Sequence, residues 1–119
     1  MNVGRLTTHA LDTLNGTPAR GMRIDFSMLE AGAWRLLRTV RTTADGRTDE
    51  PLLAAEAMRA AEFELIFHVA EYFRMRGVML PDQPFLDRVP LRFGIADTNA
   101  HYHVPLLCTP WSYTTYRGS

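Results

Sequence analysis

Glu62-Phe63-Glu64-Leu65-Ile66-Phe67-His68-Val69 is the stretch that decides the fold class. Phe63, Leu65, Phe67 and Val69 fall at every second position, with Glu62, Glu64 and His68 on the alternate ones, which is the two-residue period of a strand with one apolar face. Val89-Pro90-Leu91-Arg92-Phe93-Gly94-Ile95-Ala96 repeats the pattern on Val89, Leu91, Phe93 and Ile95. The two stripes are expected to be the core, as two facing sheets of a sandwich. His68 falls on the polar side of its strand with Glu62 and Glu64 and reads as a solvated residue with no role.

Outward from this pair, Leu6 to Asp12, Arg23 to Met28, Trp34 to Thr42 and Tyr102 to Cys108 also read as strands. Turn signals separate them at Asn15-Gly16-Thr17-Pro18, Glu30-Ala31-Gly32-Ala33, Ala44-Asp45-Gly46-Arg47 and Pro110-Trp111-Ser112. Ala70 to Arg76 has helix-favouring composition and is stopped by Gly77, which suits a left-handed C-terminal cap. Pro51 to Ala61 is helical on propensity alone, and so short a run is open to tertiary override. Leu106 to Tyr116 reads as two paired strands around the Pro110 turn, which carries Tyr116-Arg117-Gly118-Ser119 inward. With no repeat, linker or low-complexity tract, residues 1–119 are expected to form one all-β domain with one short helix.

Composition narrows the chemistry. A chain of 119 residues suits one domain burying roughly two thirds of the surface its unfolded form exposes. Thirteen basic and thirteen acidic residues give no net charge, which argues against the basic surface of a nucleic-acid binder. All thirteen basic residues are Arg, which removes lysine nucleophiles, Schiff-base chemistry and a phosphate-loop lysine. Cys108 is the single cysteine, so neither an intrachain disulfide nor a multi-thiolate zinc site is available. No apolar signal core follows Met1, and no run approaches the ~20 apolar residues of a membrane span, so a cytoplasmic protein without membrane contact is expected.

Three histidines and one arginine stand out. If Leu6, Thr8 and Ala10 face the core, His9 lies on the opposite face with Thr7 and Leu11. His101 and His103 share a strand face, about 7 Å apart by strand rise, with Tyr102 pointing the other way. Spacing permits solvated histidines, a metal site with His9 as third ligand, or a proton relay in a hydrolytic site. Zinc ligands are normally oriented by carboxylates or carbonyls, and no acid occurs between Thr98 and Ser119. Arg47 follows a glycine able to take the positive φ of an Asp-Gly turn, so its fork projects from a fixed backbone towards a carbonyl, enolate or ring oxygen. The closing Tyr116-Arg117-Gly118-Ser119 offers a phenol, a cation, a flexible joint, a hydroxyl and a terminal carboxylate.

Taken together, these residues mark a resemblance. Leu6-Thr7-Thr8-His9-Ala10-Leu11-Asp12-Thr13 with Gly16-Thr17-Pro18-Ala19, then Asp45-Gly46-Arg47, then His101-Tyr102-His103-Val104-Pro105-Leu106-Leu107 with Tyr113-Thr114-Thr115-Tyr116-Arg117-Gly118-Ser119, resemble the three motifs of the transthyretin-like 5-hydroxyisourate hydrolases of urate breakdown. The match spans nearly the whole chain. Transthyretin, the hormone carrier on the same scaffold, lacks this His, Arg, His and Tyr-Arg-Gly-Ser set, so the enzyme branch is the closer match. Two departures, the Ala-rich Ala54 to Ala61 and the Cys108-Thr109 pair, touch the local loop path and the last hairpin.

The resemblance implies a transthyretin-like two-sheet β-sandwich of about eight strands, assembled as a homotetramer, a dimer of dimers with active sites in the channel between them. It implies hydrolysis of 5-hydroxyisourate to 2-oxo-4-hydroxy-4-carboxy-5-ureidoimidazoline without metal or other cofactor. His9, Arg47, His103 and Ser119 match the catalytic positions, and His9, Arg47 and Tyr116 those that bind substrate; His101 belongs to the motif without an assigned role. His9 is expected to hold and activate water, His103 to relay its proton through Ser119, Arg47 to stabilise charge on the attacked carbonyl and Tyr116 to shape the pocket. The rivals are a metal hydrolase built on His9, His101 and His103, and a binding module that holds a small aromatic ligand without turnover.

Overall fold

The alternation seen in the sequence becomes two layers of strands. The computed structural model describes residues 2–119, ordered as β1 (Arg5–Asp12), β2 (Thr17–Pro18), β3 (Arg23–Glu30), β4 (Ala33–Arg41), β5 (Leu53–Ala54), β6 (Ala61–His68), α1 (Val69–Met75), β7 (Arg88–Ile95), β8 (His101–Cys108) and β9 (Tyr113–Thr115). One sheet runs β2-β1-β8-β9 with β5 added on β1, and the other runs β4-β3-β6-β7. The expected all-β sandwich with one short helix is what forms. Nine strands are assigned among the described residues because β2 and β5 are two-residue pairings on β1.

One expectation is corrected. The Phe63 and Val89 stripes do not face each other from opposite sheets: β6 and β7 are antiparallel neighbours, with Phe63 opposite Phe93, Leu65 opposite Leu91 and Phe67 opposite Val89. Alternation tells which residues share a face, and it is silent on whether two such strands sit side by side or across the core. The opposing layer comes from β1 and β8, whose Leu6, Ala10 and Leu106 are fully buried. Each large side chain enclosed here, Phe26, Phe63, Leu65, Phe67 and Leu106 among them, contributes about 1.5–3 kcal/mol of burial.

His68 is corrected too. It is enclosed rather than solvated, its Nε2 2.8 Å from Asp25 Oδ2, and the same carboxylate also draws Thr39 and Arg23. Beside it on β6, Glu64 is only 5% exposed and pairs with Arg92, whose guanidinium lies 4.9 Å over the Trp34 ring. The polar face of this sheet is therefore roofed by its own long side chains. The open stretch from Pro51 resolves into β5 and a 3₁₀ turn at Ala55–Ala57, not an α-helix.

Two features carry the chain's chemistry-bearing residues to one place. β1 and β8 pair in parallel, with Arg5 beside His101, Thr7 beside His103 and His9 beside Pro105, so the alternate residues of both strands share the sheet's outer face. The end of the chain then returns along β8. β9 pairs Thr115 with Leu106, the ladder lapses opposite Pro105, which has no N–H to give, and it resumes in the same register where Gly118 meets His103.

A candidate active site on the outer face of the β1/β8 sheet

Local backbone chemistry explains how each group is held. The turn after β4 closes with Gly46 N–H donating to the Thr43 carbonyl and Thr43 N–H donating to the Arg47 carbonyl. Gly46 sits at φ +76° with its carbonyl accepting from Ala10 N–H at 2.8 Å. A side chain at this position would overlap the Ala10 carbonyl oxygen and crowd the His9 ring, so only glycine lets the turn lie flat against β1. The consequence is that Arg47 leaves a turn that abuts the His9 ring and lines the same cleft as His103. Arg47 enters no ion pair among the described residues.

His9 and His103 stand with ring centroids 6.3 Å apart, tilted by 45°. Burial depresses the pKa of both below the ordinary histidine value, and the Arg47 charge pushes each further the same way. Both rings are thus neutral at pH 7. His9 Nε2 lies 2.9 Å from the Asp45 carbonyl oxygen, which can only accept, so Nε2 carries the hydrogen and Nδ1 keeps its lone pair. A neutral imidazole with a free nitrogen beside a fixed cation is a general base next to an oxyanion stabiliser.

A cleft of about 420 Å³ opens along this face, lined by Arg5, Thr7, Arg47, His101, His103 and Ser119 among others. Gly118 brings Ser119 there: its N–H donates to the His103 carbonyl at 2.7 Å, and a Cβ on Gly118 would stand 3.1 Å from the His103 side chain. Ser119 makes no hydrogen bond to His103 among the described residues. The hydrogen-bond partner of His103 is instead Thr7, whose Oγ1 lies 2.7 Å from His103 Nδ1 and 2.8 Å from His101 Nε2. Thr7 and Arg5 are the residues that sequence reasoning passes over, because only the parallel β1/β8 register places them between and beside the histidines.

Of the residues to which the sequence points, the structure brings His9, Arg47, His103, His101 and Ser119 to one face and leaves Tyr116 out. Tyr116 is 58% exposed and lines a separate cleft of about 380 Å³ with Leu91, Phe93, Tyr102, Val104 and Arg117. Arg117 stacks over the Tyr102 ring at 4.4 Å and donates to the His101 carbonyl at 3.4 Å. Cys108 is buried and its thiol is pushed up to about 12 by burial and by the Asp12 charge, so it is no nucleophile. No group of three or more His, Cys, Asp or Glu side chains converges as a metal cage among the described residues, since Thr7 takes the facing nitrogens of His101 and His103.

The sequence profile of the HIUase/Transthyretin family matches residues 6–118. The chain belongs to this family. Within it, the 5-hydroxyisourate hydrolase 2 of Rhizobium meliloti (strain 1021) is 57% identical over 116 residues, covering 98% of this chain and 97% of that protein. The crystal structure of (S)-allantoin synthase superposes with a TM-score of 0.91 at 45% identity, over 98% of this chain and 44% of that longer one. Sea bream transthyretin in complex with thyroxine gives a TM-score of 0.83 at 28% identity, over 96% of this chain and 94% of that one. Family members thus include a hydrolase and a thyroxine-bound protein on one scaffold.

Proposed function

We propose that this protein hydrolyses 5-hydroxyisourate, opening its six-membered ring at the N1 to C6 amide. The observation that carries the reading is that Arg47 and the neutral His103 line one open cleft, with the neutral His9 ring 6.3 Å from that of His103. A polar set of this kind suits a small heterocycle with several carbonyls, and a carrier of an apolar ring has no use for it. The name of the Rhizobium relative supports the same substrate.

In the proposed step, a water bound at His9 Nδ1 gives up a proton as its oxygen attacks C6. Arg47 donates to the carbonyl oxygen, which becomes an oxyanion, and His103 carries the proton until the C6–N1 bond breaks and N1 takes it. The product is 2-oxo-4-hydroxy-4-carboxy-5-ureidoimidazoline, with the water oxygen in the new carboxyl group, which loses the second water proton to solvent. General acid–base transfer of this kind is worth roughly 10²- to 10⁴-fold in rate. No covalent nucleophile or cofactor takes part, and Ser119 contributes its hydroxyl to the wall beside His103.

Tyr116 enters as a substrate-shaping residue only through assembly, since one chain keeps it away from the histidines. The proposal therefore includes the homotetramer, with the outer faces of the β1/β8 sheets meeting across a channel that closes the cleft. Exposed Leu14, Trp111, Tyr113 and Tyr116 on the turns and edge of that sheet supply apolar surface for such contacts. No helix among the described residues is long and apolar enough to cross a membrane, and the proposed setting is cytoplasmic.

The direct test generates 5-hydroxyisourate in place from urate with a uricase and follows its decay. Catalytic amounts of this protein are expected to accelerate the decay in proportion to protein concentration. A folded protein that binds the compound without accelerating its loss would transfer the reading to the binding module.

A further inference from the structure

The contact that the reaction scheme leaves unused is the hydroxyl of Thr7, held between two imidazoles. Its oxygen is 2.8 Å from His101 Nε2 and 2.7 Å from His103 Nδ1, and the two ring centroids are 6.2 Å apart, so the hydrogen-bonded path from one ring to the other runs through Thr7. A hydroxyl has one proton to give. If both rings are neutral, Thr7 donates to at most one of them, and the other must donate its own N–H to the Thr7 oxygen. The protonation patterns of His101 and His103 are therefore tied to each other by stereochemistry.

We propose that Thr7 is a positioning residue that joins His101 and His103 into one proton relay, with His101 as the site where the proton waits. This rests on the hydrolase reading. Before attack, His103 Nδ1–H donates to Thr7 Oγ1 and the Thr7 hydroxyl donates to His101 Nε2, which leaves the His103 Nε2 lone pair free to accept. When Nε2 takes the proton of the attacking water, the Nδ1 hydrogen moves to Thr7 and the Thr7 hydrogen moves to His101. His103 ends neutral in its other tautomer, His101 ends as the cation, and the reverse shift returns the proton to the departing N1. No charge is left on His103 beside Arg47, where a second cation is disfavoured.

The groups that face this unit set its pH behaviour. Burial lowers both rings; beyond it, Arg5 on β1 and Arg117 near the chain end act on His101, and Arg47, His9 and His101 itself act on His103. Asp49 and Glu50 line the same cleft from the segment after β4. With cations nearest, the waiting proton on His101 is held only briefly, which suits a relay and not a sink.

Thr7→Val removes the hydroxyl at constant shape, and Thr7→Ser keeps it. Thr7→Val should lower kcat/KM about 100-fold, at the low end of what acid–base transfer supplies, and Thr7→Ser should restore most of it. His101→Gln should lose a similar factor, and the double variant Thr7→Val/His101→Gln should lose no more than either alone, because both break one relay. Losses that multiply, or a serine variant no better than valine, would overturn the proposal. The imidazole titrations, followed by NMR without substrate, should be more strongly coupled in the parent than in Thr7→Val, where only the direct charge effect of one ring on the other remains. Coupling no stronger in the parent than in Thr7→Val would refute the relay whatever the substrate proves to be, and the stronger coupling in a protein inert towards 5-hydroxyisourate would place the failure in the functional reading.

Discussion

Arg47→Ala is expected to lower kcat/KM on 5-hydroxyisourate by on the order of 10²- to 10³-fold, the cost of removing one preorganised donor from a developing oxyanion. The side chain is exposed and makes no ion pair among the described residues, so the midpoint of thermal unfolding should stay within about two degrees of the parent. Arg47→Gln separates charge from size. Burial and the Arg47 charge both hold His9 and His103 low, and the glutamine removes only the second influence. The histidines must be neutral to act, so activity falls as pH drops through their pKa values. With the cation gone those values rise, and the acid limb of the Arg47→Gln profile should move to higher pH. Near-parental turnover by Arg47→Ala, or an unmoved limb in Arg47→Gln, would remove Arg47 from the site.

Gly46→Ala should be the most damaging change per atom added. The new methyl overlaps the Ala10 carbonyl oxygen, which already accepts from Ala19 N–H at 2.9 Å, and the backbone must keep φ +76° to hold its hydrogen bond. Left-handed strain and overpacking cost about 1–3 kcal/mol each, so a loss on the order of 3 kcal/mol or more is expected. What yields instead is the turn, and with it Arg47 and the Asp45 carbonyl that orients His9. Stability to chemical denaturant and kcat/KM should therefore fall together, unlike in Arg47→Ala, where only activity falls. A Gly46→Ala protein with parental stability and activity would mean that the turn is not seated on β1.

These two residues mark how far the sequence alone is legible. The Asp-Gly signal at Asp45-Gly46 is enough to expect a positive φ and a projecting Arg47, because that depends on local backbone sterics. The outward face of His9 and the shared face of His101 and His103 follow from strand alternation, which is equally local. Convergence of His9, Arg47 and His103 comes from the motif resemblance. The pairing of β6 with β7 and the bridge at Thr7 lie outside both, since each depends on which distant strands become neighbours. His68 reads wrongly as solvated for the same reason: its partner Asp25 is on another strand. Tyr116 groups with the histidines by its neighbours in sequence, and where the ladder lapses opposite Pro105 it lines the other cleft.

The measurement closest to the central claim is kcat/KM against pH for exhaustively chelated protein acting on 5-hydroxyisourate. Such a profile reports the ionisations of the free enzyme. The expected result is activity equal to that of untreated protein, constant near neutrality and falling only below the ordinary histidine value of 6.5, as neutral His9 and His103 become charged. Activity lost on chelation and restored by a divalent metal, or an acid limb at or above 6.5, would contradict catalysis by a pair of histidines held neutral beside Arg47.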